Sequence, residues 1–561
     1  MFKKILSKIA GQSHSVASVA IIDPPREASE GQEKELKIYI KHGDQLAQEK
    51  KYAEALNVYQ KAIDINPHCI DAYIKQASVF SELKNREHAV ELYQMAIALE
   101  PANYYPYCAL ADIFEKRGNF TDALSMYEEA LKHKPDSAEI LTNIAGIFIR
   151  QYDQPIPTEK LLLQALQLDP QLVEAHINLG VLYILLSRFK ESQQILEHAT
   201  TIDADRIDVY VNLGVAMQCQ NKITEAKHCL EKAMQIDPTY PEAKWNYSLI
   251  LLKNGDYSNG WKYYEHRLKT KAHKDCFIAK RYQSYRKWND DENIVGKKII
   301  IHAEQGLGDT LQFVRYAPLV AARGATVIVD CQSELVSLLA GVEGVSQVVS
   351  HQEPLPAFDC YASIMSLPLL FDTTLETIPA AIPYIKVNEA LVNQWKIILG
   401  QRAQCKVGLV WAGNPRRDQM GCYTDRKRSI TLEQFAPLGN VSNIEWFSLQ
   451  KGESAKQIKT AAKNLNIKDY TDQFYTFADT AAFITQLDLI ISVDTSVAHL
   501  AAAIGKPTWL LSHFDGCWRW LMDRDDSPWY PTMRIFRQKQ PGDWENVILE
   551  VRKCVIDGYG H

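Results

Sequence analysis

Between residues 36 and 240 the apolar positions follow a long fixed period instead of one helical or extended pattern. Prolines stand at Pro67, Pro101, Pro135, Pro170 and Pro238, 34, 34, 35 and 68 residues apart, with Ala204 where the missing one would fall. Ala55, Ala89, Ala123 and Ala226 lie twelve residues before a proline, and Ala62, Ala96, Ala130, Ala165 and Ala233 lie five before one or its equivalent. Tyr59, Tyr93 and Tyr127 fall between them, and Gly43, Ala77, Ala111, Ala145, Gly180 and Gly214 recur near the start of each unit. The pattern predicts two helices per unit. Small residues let the helices cross closely, the tyrosine fills the space beside them, and the proline ends the second helix. One unit cannot bury its own apolar face, so the units must stack into a superhelix with a concave inner surface.

From about residue 297 the pattern changes to short apolar runs separated by loops and amphipathic segments. KKIIIHAEQGLGDTLQFVRYAPLVAARG reads as strand, glycine-containing loop and helix, and ATVIVDC, VSQVV and FDCYASI read as further strands. A second series starts with KVGLVWAGNP and continues through IEWFSLQ, the helix TAAFITQL, the strand DLIISV, a helix from Asp494 and the strand PTWLLS. Two strand/helix halves, about 297–388 and 405–552, predict two doubly wound domains. Ligands of such sheets bind outside the carboxyl ends of the strands.

Composition narrows the classes without choosing among them. The 561 residues carry 62 basic and 68 acidic side chains, a net charge of −6, which gives no reason to expect nucleic acid or an anionic membrane as main partner. No apolar run of about 18 residues occurs, so no membrane-spanning helix is expected. Eleven cysteines without a CxxC pair read as free thiols of a cytoplasmic chain, with no metal site. Residues 1–35 read as a flexible leader, since Gln12, Ser13, His14 and Ser15 interrupt any signal-peptide core.

Three loops fall at strand ends. In Gln305-Gly306-Leu307-Gly308-Asp309-Thr310 the glycines permit close backbone approach, and Asp309 is either a cleft carboxylate or a helix cap. Trp411-Ala412-Gly413-Asn414-Pro415, continuing to Arg426-Lys427-Arg428-Ser429, offers backbone amides and cations to a phosphate, or is a solvated loop. In Ser492–His499, Asp494, Thr495 and Ser496 open a helix whose positive end suits a diphosphate, with His499 one turn further on. Asp523-Arg524-Asp525 spells DxD and reads as coincidence. In the repeats, Asn143, Asn178 and Asn212 share one position, either as a ladder for a peptide backbone or as solvated asparagines.

The repeats resemble a tetratricopeptide array of six units plus a degenerate cap, over 36–269. QGLGDTLQF paired with SVDTSVAHLAAAIGKPTW resembles glycosyltransferase family 9, the heptosyltransferase-like GT-B enzymes. An array followed by such a half is similar to bacterial flagellin glycosyltransferases. The resemblance implies an α-helical tetratricopeptide superhelix (36–269), a linker (270–296), a GT-B acceptor domain (297–390) and a nucleotide-sugar domain (391–561), the two Rossmann-like.

It further implies metal-independent, inverting transfer from a nucleotide-sugar co-substrate, without other cofactor, to a hydroxyl of a protein recruited by the repeats. Asp309 is then the general base, and Gly306, Gly308, Gly413, Asn414, Arg428, Asp494, Thr495, Ser496 and His499 are donor contacts. Ser496 stands where those enzymes commonly have glycine, and Arg428 where a lysine is usual, which leaves the sugar open. A cell-envelope glycan transferase and a non-catalytic adaptor with a degenerate sugar-nucleotide site are the alternatives. A fragment starting near Tyr282 is expected to keep donor chemistry and lose the protein acceptor.

Overall fold

The computed structural model describes residues 30–151, 155–289, 292–400, 404–414, 425–461 and 465–559; the leader before residue 30 and Pro415 lie outside them. Contacts divide the chain into two compact units, one running to Phe148 with Lys160–Leu172, the other of Ile149–Glu159 and everything from Val173 onward.

The unit ending at Phe148 contains the helix pairs Glu30–Gln48 with Tyr52–Ile65, Ile70–Glu82 with Arg86–Leu99, and Tyr104–Lys116 with Phe120–His133. The first helix therefore starts inside the stretch expected as leader. Ala55, Ala62, Ala89, Ala96, Ala123 and Ala130 are fully buried, and Tyr59, Tyr93 and Tyr127 nearly so. The turn inside each pair takes a left-handed residue at one repeat position: Lys50, Lys84 and Gly118 here, then Ser187, Asn221 and Gly255 further on. The second unit continues the array with Val173–Leu185 and Phe189–Ile202, Ile207–Cys219 and Ile223–Ile236, and the cap Pro241–Lys253 with Tyr257–Tyr264. A Cβ on Gly180 would come within 2.6 Å of Leu196, so a small residue is required where those helices cross.

The same unit holds two parallel sheets. The first orders its strands β3 (Val345–Ser350), β2 (Thr326–Cys331), β1 (Lys298–His302), β4 (Cys360–Ser363). The second orders β10 (Met533–Arg537), β9 (Thr508–Ser512), β8 (Leu489–Val493), β5 (Cys405–Val410), β6 (Ile444–Ser448), β7 (Ile467–Asp469). Its pairs are parallel throughout. Both faces of a parallel sheet need cover, and the helix Trp544–Tyr559 provides it on one side of the second, with Val547, Val551 and Val555 against Val407, Leu409 and Ile491. Strand β10 and that closing helix were not anticipated.

Two expected boundaries change. Residues 270–289 are no linker. Ile278 and Tyr282 of the helix Phe277–Tyr282 cover Ile300, Ile328 and Val349 of the first sheet. The Trp288 amide donates to Tyr361 O at 2.7 Å, adding the chain to the β4 edge. Nor is the cap a free end of the array. Leu252, Tyr257, Trp261 and Tyr264 share one core with Ile299 and Ile301 of the first α/β domain and Trp520 and Trp529 of the second. The Trp261 indole N–H donates to Thr373 O and that of Trp529 to the Tyr257 hydroxyl, each at 3.0 Å. Those aromatic side chains are too large to bury within one helix pair, so the neighbouring domains complete their packing. Among the described residues no helix is long and apolar enough to cross a membrane.

Candidate functional site

In each sheet the strand order reverses between two neighbours, and a crevice opens where their loops part. In the second sheet these neighbours are β5 and β8. The loop after β5 is tightly tied: the Trp411 and Ala412 amides donate to Gln450 Oε1 at 3.1 and 2.8 Å, and the Gly413 amide to Ser429 Oγ at 2.9 Å. A Cβ on Gly413 would overlap the Asp425 carboxylate and the Arg428 guanidinium, so a side chain there would displace both groups. Arg428 donates from Nη1 to Asp494 O at 2.9 Å and lies 3.4 Å from Asp425, while Asn414 is exposed. Arg428 thus links the loops after β5 and β8.

After β8 the helix runs Ser496–Ala503, two residues later than expected, with Thr495 as its N-cap residue. Thr495 Oγ1 is turned to Ser492 Oγ at 3.1 Å and does not cap the helix, which leaves the first amides to other acceptors. Asp494 Oδ2 accepts from the Trp520 indole at 2.8 Å. His499 lies beneath, 5 % exposed, stacked on Trp520 and joined through Nδ1 to the Tyr530 hydroxyl at 2.9 Å. Burial pulls its pKa down to about 4, so the ring is neutral. It belongs to the floor of the cleft.

The first α/β domain meets this floor through the helix Leu307–Phe313. A Cβ on Gly308 would stand 2.8 Å from the His499 ring and 3.5 Å from the Ser496 Cα, so the glycine brings the first turns of two helices from different domains together. Asp309 is not a free carboxylate. Its Oδ2 accepts from the Gly306 amide at 2.7 Å, as a cap, and its Oδ1 from Arg519 Nη2 at 2.5 Å. Arg519 comes from the β9–β10 connection, is itself buried, lies over Trp518 and donates from Nε to Gln312 Oε1 at 2.7 Å. Its position in CWRWLMD carries no spacing signal toward Asp309, so only the packing of the two domains reveals the pair. Asp523, Arg524 and Asp525 do not converge on the cleft residues; Arg524 pairs with Asp526.

The repeats also touch this domain. Asn221 Nδ2 donates to Phe514 O at 3.1 Å, and Lys253 Nζ to Asp515 O at 2.7 Å and Asn221 Oδ1 at 2.9 Å. Asp515 itself is held by Lys427 and by His513 Nδ1. Burial lowers the Lys253 pKa to about 8. Lys253 was not singled out by the sequence, and Lys427, read there as one of three cations for a phosphate, is paired with Asp515.

The asparagines part company. Asn143 is exposed in the helix Ala138–Gln151, whereas Asn178 and Asn212 are half-buried in the second unit. Asn212 donates to Asp208 O at 2.8 Å, and Asn246, 34 residues on, does the same to Glu242 O at 2.9 Å. Their amides thus serve their own helices.

The fold and cleft define a tetratricopeptide array joined to paired parallel α/β domains. Tetratricopeptide-repeat family models match residues 36–69, 70–103 and 173–206, a second such model 108–153 and a third 206–236. The chain is similar to Protein FlbA of Caulobacter vibrioides, 26 % identical over 333 residues, 55 % of this chain and 54 % of that protein. It thus spans about half the length of this curated relative. Similar solved structures include YrrB, a repeat protein with an unusual peptide-binding site, at 22 % identity and TM-score 0.28, covering 33 % of this chain and 95 % of that one. A tetratricopeptide repeat protein from Parabacteroides merdae has 14 % identity and TM-score 0.37, with coverage of 42 % and 94 %.

Proposed function

We propose that this chain is a glycosyltransferase that moves a sugar from a nucleotide-sugar donor to a hydroxyl of a protein bound by its repeats, flagellin being the acceptor class the resemblance implies. The observation that carries the reading is the meeting of the helix starts Leu307–Phe313 and Ser496–Ala503 beside the crevice between β5 and β8, with Asp309 on one side and Arg428 on the other. The donor diphosphate lies at the Ser496 helix start, where backbone amides and Arg428 take up charge as the sugar–oxygen bond breaks. The acceptor hydroxyl attacks the anomeric carbon and passes its proton to Asp309, a contribution of roughly 10²–10⁴-fold. Arg519 keeps that carboxylate aimed before the donor arrives, and releases Oδ1 when phosphate competes for the guanidinium. With a nucleotide-sugar as donor, the reaction belongs in the cytoplasm.

One observation favours a second reading, a repeat adaptor with a degenerate sugar-nucleotide site: both Asp309 and Arg428 are already engaged by protein partners. A panel of nucleotide sugars, read by thermal shift and then by hydrolysis, separates the two. The enzyme reading expects one donor to stabilise and to be hydrolysed, and Asp309→Asn to abolish transfer with donor binding nearly unchanged. Stabilisation without turnover identifies the adaptor. Full transfer by Asp309→Asn removes the base from the mechanism.

A further inference from the structure

The first sheet has its own switch point, between β1 and β4, where His302 and Ser363 stand side by side in register. A cleft of about 360 Å³ opens there, on the sheet face covered by residues 265–287, and lies within the size range of small-molecule sites. Its chemistry is uneven. Glu265 pairs with Arg267 at 2.7 Å and with Lys287 at 2.9 Å, and Arg267 with Glu304 at 2.5 Å, so these four charges cancel. Lys269 and Lys274, on the exposed edge, have no ion-pair partner among the described residues and leave two positive charges facing the cleft.

The floor is the buried His302. Its Nδ1 contacts Ala303 O at 3.2 Å. A carbonyl only accepts, so Nδ1 carries the hydrogen and Nε2 presents a lone pair. Burial keeps this ring neutral, with its pKa down to about 4. Tyr361 and Ile278 add an aromatic and an aliphatic wall.

An acceptor at the floor needs a hydroxyl or amide donor, the walls need a C–H face, and the rim needs an anion. We propose that this cleft binds a small polyol bearing one anionic group, a sugar phosphate or a sugar acid. The site is separate from the crevice between β5 and β8 and does not depend on glycosyl transfer.

Calorimetric titration of the full chain tests it, with glucose 6-phosphate, glucuronate, glucose and inorganic phosphate as probes and no nucleotide sugar present. At least one of the two anionic sugars should bind saturably and about tenfold or more tighter than glucose; which one wins identifies the anion. Lys269→Ala with Lys274→Ala should weaken it about tenfold while the melting temperature stays put, and the double arginine replacement should retain it. His302→Asn, if folded, should weaken it too. Absence of binding by both anionic sugars overturns the proposal, as does undiminished binding in the double alanine variant. Inorganic phosphate binding as tightly as glucose 6-phosphate overturns the polyol assignment.

Discussion

Gly413 shows how much one hydrogen atom in place of a methyl decides. Its Cα faces Asp425 and Arg428 so closely that Gly413→Ala must push the guanidinium away from Asp494 O. Overpacking of this kind costs about 1–3 kcal/mol, and we expect the variant to melt lower and to lose donor-dependent stabilisation altogether. Gly413→Ala with an unchanged thermal shift would mean that Arg428 plays no part in donor binding. His302 and His499 give the molecule an acid limit. Both are buried and have pKa values pulled from 6.5 down to about 4. The unfolded chain therefore binds protons that the folded one refuses between those values, so stability falls as pH drops from about 6.5 toward 4. Each shift is worth up to about 3 kcal/mol. Melting temperature against pH should steepen in that window, and His302→Asn with His499→Asn should flatten it, whatever their cost at pH 8.

Six inner turns among the described repeats close with a left-handed residue, which is lysine twice, glycine twice, serine once and asparagine once. Gly118 has φ +77° with nothing near a would-be Cβ, so Gly118→Ala meets backbone strain alone. The expected cost is about 1–2 kcal/mol, read by denaturant midpoint. Equal stability would show that the turn relaxes. The segment 270–289 makes the opposite point. Its apolar residues Ile278, Tyr282 and Trp288 were legible, yet nothing local says that they cover a sheet whose strands lie further along the chain.

At the scale of the molecule, the cap and both α/β domains form one core, so the place where the chain can be cut changes. A fragment beginning near Tyr282 would remove Trp261 and Tyr257 from contact with Trp529 and expose the first sheet. We expect it to aggregate. A fragment beginning at Val173, the start of the second unit's continuous stretch, should fold and show donor-dependent stabilisation, while losing modification of the protein acceptor. A pull-down with the full chain and with this fragment checks the recruitment role: undiminished protein modification by the fragment would reduce the first repeats to a spacer.

The repeats were readable because their rule is local: a small residue, a tyrosine and a proline at set distances specify two crossing helices wherever they occur. The strands were readable for the same reason, as apolar runs between glycine loops, and the loops at their ends followed from the strand positions. Neither β10 nor the closing helix had a flanking motif to announce it. Arg519 against Asp309, Lys253 against Asp515 and the cleft between β1 and β4 join residues 210, 262 and 61 positions apart. Such pairings arise only when two sheets and an array bury one another's apolar faces, because ion pairs and crevices are what the shared core leaves at its edges. Sequence alone determined the elements and their order; tertiary packing decided which charges meet.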